Sequence, residues 1–144
     1  MSISASIDIF LLKNDKYYFS VKDLIQEMQK NGWNIKKDGK ICYLPLQDEL
    51  FNWTEHPISE TEWMEIVFQK EQNNEIIGVM FYWKNTKIGI SMLVFPDGQI
   101  TFQMTVNRLK LNSDITNVNW YLKKIMICFD KFKVTEITFN QTWQ

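Results

Sequence analysis

The 144-residue sequence has few of the residues on which enzyme active sites usually depend. It contains one histidine, His56, and two cysteines, Cys42 and Cys128, which are 86 positions apart. These residues provide no zinc-ligand spacing. His56 lies between Glu55 and Pro57 in a predicted loop, with no nucleophile near it in the sequence. We therefore predict no catalytic residue and no metal site.

Glycine and proline are also scarce, with five and three residues. The glycines are scattered, and none of them belongs to a P-loop or a dinucleotide-binding fingerprint. So few glycines and prolines leave little room for long linkers or disorder. A chain of this length with 45% hydrophobic residues can bury one complete core. We predict a single domain over residues 1–144, without a cofactor.

Arginine is likewise scarce, and long apolar runs are absent. Arg108 is the only arginine and the lysines are dispersed, whereas nucleic-acid surfaces rely on clustered cations. No apolar run approaches the roughly 20 residues of a membrane span, and we expect no secretion signal. The expected protein is cytoplasmic and binds neither nucleic acid nor membranes. Its cysteines resemble small buried apolar side chains, and a disulfide between them stays open.

The N-terminal pattern predicts an α+β domain that begins with a strand and a helix. Apolar residues alternate over 3–9, as in a half-exposed strand. Ser20 can cap a helix that stops at Asn31-Gly32. The apolar face of this helix is Val21, Leu24, Ile25 and Met28. Two short strands, Trp33–Lys36 and Lys40–Leu44, then flank the hairpin signal Asp38-Gly39.

The middle of the chain predicts an antiparallel meander of four strands. Its last three strands are Glu75–Lys84, Lys87–Phe95 and Gln99–Asn107, and their short connectors force antiparallel neighbours. The first, Trp63–Gln69, fits a helix face or a strand, and its β-branched and aromatic residues favour a strand. The preceding residues, Pro45–Glu60, are predicted to form an irregular loop.

The C-terminal part predicts a second helix and a closing strand. Asn112 or Ser113 can cap a helix within 113–131. The stripe expected to face the sheet is Ile115, Val118, Leu122, Ile125 and Phe129. Val134–Trp143 has the residue content of a strand. The expected fold is a mainly antiparallel sheet with two helices packed on one face.

Charge is divided sharply along the chain, although the total is only −1. Residues 47–75 hold eight carboxylates and one cation, Lys70, which gives −7, and the remaining fifteen cations and nine carboxylates give +6. Large aromatic residues lie among these acids. An acidic field speeds encounter with a basic partner, and buried aromatic anchors slow its release. The predicted protein-binding residues are Asp48, Glu49, Phe51, Trp53, Glu55, Glu60, Glu62, Trp63 and Glu65.

A small α+β domain with this acidic, aromatic segment and no catalytic signature resembles the cytosolic immunity proteins of bacterial toxin–immunity pairs. These include the antitoxins of contact-dependent inhibition systems. The resemblance concerns the whole chain rather than a motif. It implies a non-enzymatic inhibitor that binds a cognate basic toxin domain, often a nuclease, and occludes its active site or its substrate surface.

Two other functions remain open. A small enzyme or ligand-binding protein would have a cleft of about 300–1,000 Å³ with converging polar groups. The residues expected to line it are Trp53, Trp63, Tyr82 and Trp83. A secretion chaperone would pair a sheet edge with an extended client, and it would be a dimer with an exposed strand. Any single carboxylate of the acidic segment also fits an ordinary solvated surface.

Overall fold

The computed structural model describes residues 2–12 and 19–144, which form three α-helices and one antiparallel sheet of nine strands. The strands are β1 (Ile3–Leu11), β2 (Trp33–Asn34), β3 (Lys36–Lys37), β4 (Lys40–Tyr43), β5 (Thr54–His56), β6 (Ile77–Trp83), β7 (Gly89–Val94), β8 (Gln99–Val106) and β9 (Val134–Trp143). The helices are α1 (Val21–Lys30), α2 (Glu60–Gln72) and α3 (Val118–Met126), and a 3₁₀ turn follows over Ile127–Phe129. The predicted α+β class is confirmed.

The strand order is β3-β4-β6-β7-β8-β1-β9, with β2 also paired to β6 and β5 to β4. The predicted strands at both ends of the chain therefore lie side by side, as β1 and β9. None of the helices in the described part is both long and apolar enough to cross a membrane.

One face of the sheet carries the hydrophobic core. The strand register aligns Val79, Met92, Phe102 and Ile7 in one row across four strands, and all four are fully buried. Each helix contributes buried side chains to the same cluster: Leu24, Ile25, Met28, Trp63, Val67, Tyr121 and Ile125. All three helices therefore pack on this face, which we call the helical face. The layering predicted from the sequence is correct.

The second face of the sheet is mostly polar across β8, β1 and β9, and Ser91 of β7 adds a hydroxyl group beside them. Asp8 lies opposite Thr101 on one side and Thr138 on the other. The Thr101 hydroxyl donates a hydrogen bond to Asp8 at 2.6 Å, and Ser91 donates to Gln103 at 3.1 Å. Hydrogen bonds between neighbouring strands therefore satisfy the polar side chains that the alternation of β1 and β8 places on this face.

Close packing at Gly78 holds the segment after β4 on the second face. A Cβ atom at Gly78 would lie 2.7 Å from the Leu44 side chain and 3.0 Å from the Trp53 ring. The backbone N–H of Leu44 donates to the Gly78 carbonyl at 3.1 Å. Only glycine allows this approach, because every other residue would bring a carbon atom into contact with the leucine.

The segment 63–69 is part of helix α2, so the strand predicted there is wrong. The Ser59 hydroxyl accepts a hydrogen bond from the Glu62 N–H at 3.1 Å and caps the helix. Trp63 and Val67 lie one helical turn apart, and both are buried against the sheet. Capping and burial of this face outweigh the strand propensity of the aromatic and β-branched residues. The meander consequently has three strands, β6 to β8.

The second predicted helix begins later than expected. Helix α3 starts at Val118 behind its cap, Asn117. The residues before the cap form a loop that is fastened to β9, because the Gln141 side-chain oxygen accepts hydrogen bonds from the Thr116 N–H at 2.9 Å and its hydroxyl at 2.7 Å. Ile115 belongs to this loop and is 42% exposed, so its predicted place in the buried stripe is wrong.

The rest of the predicted stripe is partly correct. Ile125 and Phe129 are buried, whereas Val118 and Leu122 are half-buried at the margin of the core. The central position belongs to Tyr121, which is fully buried and whose hydroxyl accepts a hydrogen bond from the Leu109 N–H. The helix is thus rotated relative to the predicted stripe.

The first helix and the hairpin are confirmed with some changes. The Ser20 side chain makes no capping hydrogen bond, and Glu71 of α2 instead accepts the Val21 N–H at 3.1 Å. The predicted strand at 33–36 is divided between β2, which pairs with β6, and β3, which forms the hairpin with β4. The predicted loop Pro45–Glu60 contains β5, which pairs with β4.

Candidate protein-binding surface

The structure divides the predicted site residues between the two faces of the sheet. Glu55 lies directly opposite Cys42 of β4, whose neighbours on either side are buried on the helical face. Strand alternation therefore puts Cys42 and Glu55 on the second face. Trp53 packs against Gly78 on that same face. The helical face instead carries Glu60, Glu62 and Glu65, all on α2.

The loop before β5 holds the remaining predicted residues. Asp48 accepts a hydrogen bond from the Asn52 N–H at 2.9 Å, which closes a turn. Phe51 has a positive φ of 55° and is 47% exposed. Glu49 is exposed at the same turn. These residues lead into Trp53, so we treat them as one group with Glu55 and call it the loop group.

Lys70, the only cation of the acidic segment, points away from the acidic surface. Its side chain is 1% exposed, and its Nζ lies 2.5 Å from the carbonyl oxygen of Pro45 and 3.6 Å from Oε1 of Glu75. Burial lowers the pKa of the Lys70 ammonium, and the charges of Glu75 and Asp48 oppose that shift. Because this ammonium is paired inside the protein, it does not neutralise the carboxylates on the outside of α2.

The outer carboxylates of α2 have no close cation among the described residues. Glu60, Glu62 and Glu65 are exposed, and no lysine or arginine nitrogen in residues 2–12 and 19–144 lies within 4 Å of their oxygens. Glu60 has a neutral contact, since Gln29 of α1 donates a hydrogen bond to it at 3.2 Å. Three carboxylates on one exposed helix create a concentrated negative potential.

A groove of about 540 Å³ runs between α1 and α2. The residues that line it are Lys22, Glu60, Thr61, Met64, Glu65 and Phe68. Phe68 is 58% exposed, an unusually high value for a phenylalanine beside charged residues. A phenyl ring flanked by carboxylates suits a lysine or arginine side chain, because the ring contacts the aliphatic stem while a carboxylate pairs with the charged end.

Phe68 is the residue that sequence reasoning missed, and Trp63 is the residue that it misplaced. Trp63 is 1% exposed and belongs to the core, so it is not available as the predicted anchor. Five residues along a helix correspond to roughly 140° of rotation, which directs Phe68 to solvent when Trp63 points inward. The spacing of Ser59 and Glu62 matches a capping box, and it is the sequence signal that could have identified the helix.

The four aromatic residues predicted to line a ligand cleft do not come together. Trp63 lies in the core. Trp83 packs edge-to-face against Trp33 and Trp120, with ring centroids 5.1 and 5.8 Å apart. The other two, Tyr82 and Trp53, lie on the second face of the sheet. The predicted lining of the cleft is therefore wrong.

Other reactive side chains are separate from one another. His56 is exposed on β5, and its ring lies 6.0 Å from that of Tyr43. Both cysteines are free, so the disulfide that the sequence left open is not formed. Burial raises the pKa of the Cys128 thiol to about 12. Within the described residues, no group of three or more histidine, cysteine or carboxylate side chains is arranged to hold a metal ion.

Comparison with protein-family models, curated proteins and solved structures finds no match for this chain. Its function is therefore inferred from the geometry and charge of its own surface.

Proposed function

We propose that this protein is a non-enzymatic inhibitor that binds a basic protein domain through the outer side of α2 and acts in the cytoplasm as the immunity partner of a toxin. One observation carries the proposal. Glu60 and Glu65 line a groove with the exposed Phe68, and Glu62 is exposed on the same helix, while Lys70, the only cation of their segment, is buried and paired internally. An exposed aromatic ring on an acidic helix suits a protein contact, because aromatic residues are enriched at interfaces and the acidic field steers a basic partner.

The groove between α1 and α2 supplies the contact. A lysine or arginine of the partner would enter it between Glu60 and Glu65, with its aliphatic stem on Phe68 and Met64. Charge-assisted hydrogen bonds of this kind are stronger than neutral ones, and arginine can make two of them to one carboxylate. Nucleases hold phosphates with the same cationic side chains. A partner whose cations are bound to α2 cannot present them to its substrate.

Trp53 and Glu55 of the loop group form a separate surface, because the sheet lies between them and α2. A rigid partner whose contact is centred on Phe68 cannot contact Trp53 and Glu55 equally well unless it also reaches around the β5 edge of the sheet. We therefore assign the binding energy to α2, and we assign to the loop group a contribution to the long-range field. This assignment predicts different effects on binding when the charges of the two sets of carboxylates are reversed.

The partner can be identified by pull-down from the native host, and the two charge reversals can then be compared by binding kinetics. Glu60→Lys, Glu62→Lys and Glu65→Lys together should abolish measurable binding. The matched control, Glu49→Lys, Glu55→Lys and Asp130→Lys, makes the same change in net charge at other exposed sites. It should mainly slow association and leave dissociation unchanged. If the control triple weakens binding as much as the α2 triple, the proposed surface is wrong.

The role of Phe68 as the central anchor can be tested separately. Phe68→Ala should raise the dissociation rate about 30-fold, which corresponds to a loss of about 2 kcal/mol at a central anchor. Ile127→Ala is the matched control, because Ile127 is 52% exposed and lies on the 3₁₀ turn after α3.

The immunity function itself is tested by co-expression with the partner, which should relieve the growth arrest that the partner causes. If a partner binds but its toxicity persists, the immunity function should be abandoned.

A cationic small molecule is the second candidate ligand. The groove has the volume of a small-molecule site, and Glu60, Glu65 and Lys22 converge on it. A thermal shift titration with a linear polyamine tests this function. Stabilisation that is saturable and is lost in Glu60→Gln with Glu65→Gln would favour a ligand-binding protein over an inhibitor.

A further inference from the structure

The outer edge of β9 has no partner strand within the described part of the chain. β9 ends the strand order and pairs with β1 on its inner side along nearly its whole length. Its ten residues, Val134–Trp143, are mostly exposed. An edge strand of this length presents a row of backbone donors and acceptors to another strand.

The pairing with β1 determines which backbone groups of β9 point outward. Ser2 and Gln144 exchange two hydrogen bonds, N–H to O at 3.0 and 2.8 Å. Hydrogen-bonded and non-hydrogen-bonded pairs alternate in an antiparallel ladder. The even-numbered residues 136–144 therefore bond to β1, and the odd-numbered residues 137–143 direct their N–H and C=O groups to the free edge, up to the β-bulge at Thr135.

The edge carries three large exposed apolar side chains on one face and almost no charge. Ile137, Phe139 and Trp143 are 43%, 37% and 47% exposed, and they lie on the helical face, where the helices do not cover β9. Natural edge strands usually carry lysine or proline, which prevent pairing. β9 contains neither, and Glu136 is its only charged residue.

We propose that β9 pairs antiparallel with β9 of a second copy of this chain, about a two-fold axis at Phe139, so that one sheet continues across the dimer. This register overlaps the whole strand. It places Ile137 opposite Gln141, Thr135 opposite Trp143, and Glu136 opposite Thr142, so that no like charges face each other. Residues 137, 139 and 141 of both strands then exchange about six hydrogen bonds, which lies within the range of a typical interface.

The loop that Gln141 fastens supplies further apolar side chains near this edge. The Gln141 side chain accepts a hydrogen bond from Thr116 of the loop, and the loop residues Ile115 and Leu111 are 42% and 65% exposed. The two-fold axis places Ile137 of one protomer opposite Gln141 of the other, and so brings Ile137 towards that loop. Ile115 and Leu111 can then add apolar area to an edge contact that alone would fall short of the roughly 800 Å² per partner of a stable interface.

The charge distribution also favours a second copy. The acidic segment lies at the end of the sheet formed by β4 and β5 and on α2, whereas β9 forms the other end. Two copies joined at β9 keep their acidic segments far apart, so the −7 segments do not repel each other within the dimer.

Sedimentation velocity of the full chain over a wide concentration range tests the dimer. The chain should sediment as a dimer at high concentration, and Ile137→Lys and Phe139→Lys should each sediment as monomers with unchanged circular dichroism. Thr105→Lys is the matched control, because Thr105 is exposed on β8, which is paired on both sides. It should still form dimers. A monomer at every concentration, or a dimer that persists in both β9 variants, overturns the proposal.

Disulfide trapping tests the register independently of any loss of folding. In a Cys42→Ser background, Phe139→Cys places two sulfurs across the axis with Cα atoms about 5.5 Å apart, within the range of a disulfide. Oxidation should give a covalent dimer. Ile137→Cys is the control, since its two copies would be roughly 14 Å apart along the strands and should not join. If Ile137→Cys cross-links in preference to Phe139→Cys, the proposed axis is wrong.

Discussion

The buried ion pair between Lys70 and Glu75 gives the sharpest test of how α2 is packed. We predict that Glu75→Gln destabilises the protein by about 2–3 kcal/mol, because it leaves the Lys70 ammonium buried without its carboxylate. At 3.6 Å and an effective dielectric constant of about 20, the attraction between the two charges is about 4–5 kcal/mol. Glu75 is 18% exposed, so water screens part of that energy. The glutamine also keeps an oxygen for the Gln47 N–H.

Replacing Lys70 should lower the free energy of unfolding less than replacing its partner Glu75. Lys70→Met keeps most of the aliphatic volume and removes the buried charge, but it leaves the Pro45 carbonyl without a donor. We expect a loss of about 1 kcal/mol. The double variant Lys70→Met with Glu75→Gln should be no less stable than Lys70→Met alone, since no unpaired charge is left inside.

Equilibrium unfolding in urea, followed by tryptophan fluorescence, measures these differences. Glu65→Gln on the same helix is the control and should change the free energy of unfolding by less than about 0.5 kcal/mol, because Glu65 is exposed. If Glu75→Gln is as mild as the control, or if Lys70→Met is the more damaging change, Lys70 is not the paired, buried cation described above.

Three further predictions concern the packing of the same region. Gly78→Ala should lower the free energy of unfolding by about 1–3 kcal/mol, because the added Cβ lies 2.7 Å from Leu44, and thermal unfolding measures the loss. Glu71→Ala should cost about 1 kcal/mol in urea unfolding, because it removes the acceptor for the Val21 N–H at the start of α1. Burial lowers the pKa of Lys70 from its ordinary 10.5. The unfolded chain therefore binds more protons at this lysine between the lowered value and 10.5, so the contribution of Lys70 to the free energy of unfolding should rise with pH in that window. The stability of the wild-type protein relative to Lys70→Met should rise with it, and an identical pH dependence in both proteins would contradict this ionisation.

The sheet was predictable because its strands follow local rules. The alternation of β1, the short connectors of the meander and the apolar content of β9 each specify a strand without long-range information. The order of the strands was not predictable, because the pairing of β1 with β8 and β9 depends on contacts about 100 residues apart or more. The same limit applies to Glu71, which caps α1 from another helix.

The candidate surface was predictable in charge but not in geometry. The carboxylates of residues 47–75 are visible in the sequence, but the sequence pattern does not show that the sheet separates Glu55 from Glu60. Assigning 63–69 to a strand hid the helical period that turns Trp63 inward and Phe68 outward. Lys70 was counted with the surface charge, since nothing local indicates that its ammonium reaches the Pro45 carbonyl inside the protein.

In helix α2, the residues that stabilise the fold are different from the residues that form its exposed surface. Trp63, Val67 and Lys70 hold the helix on the sheet, while Glu62, Glu65 and other exposed positions contact no part of the core. Substitutions at the exposed positions cost little in folding free energy. Selection can therefore change the charge and shape of this surface one residue at a time, without a compensating change inside the protein, and lineages can diverge on it while they keep the same fold.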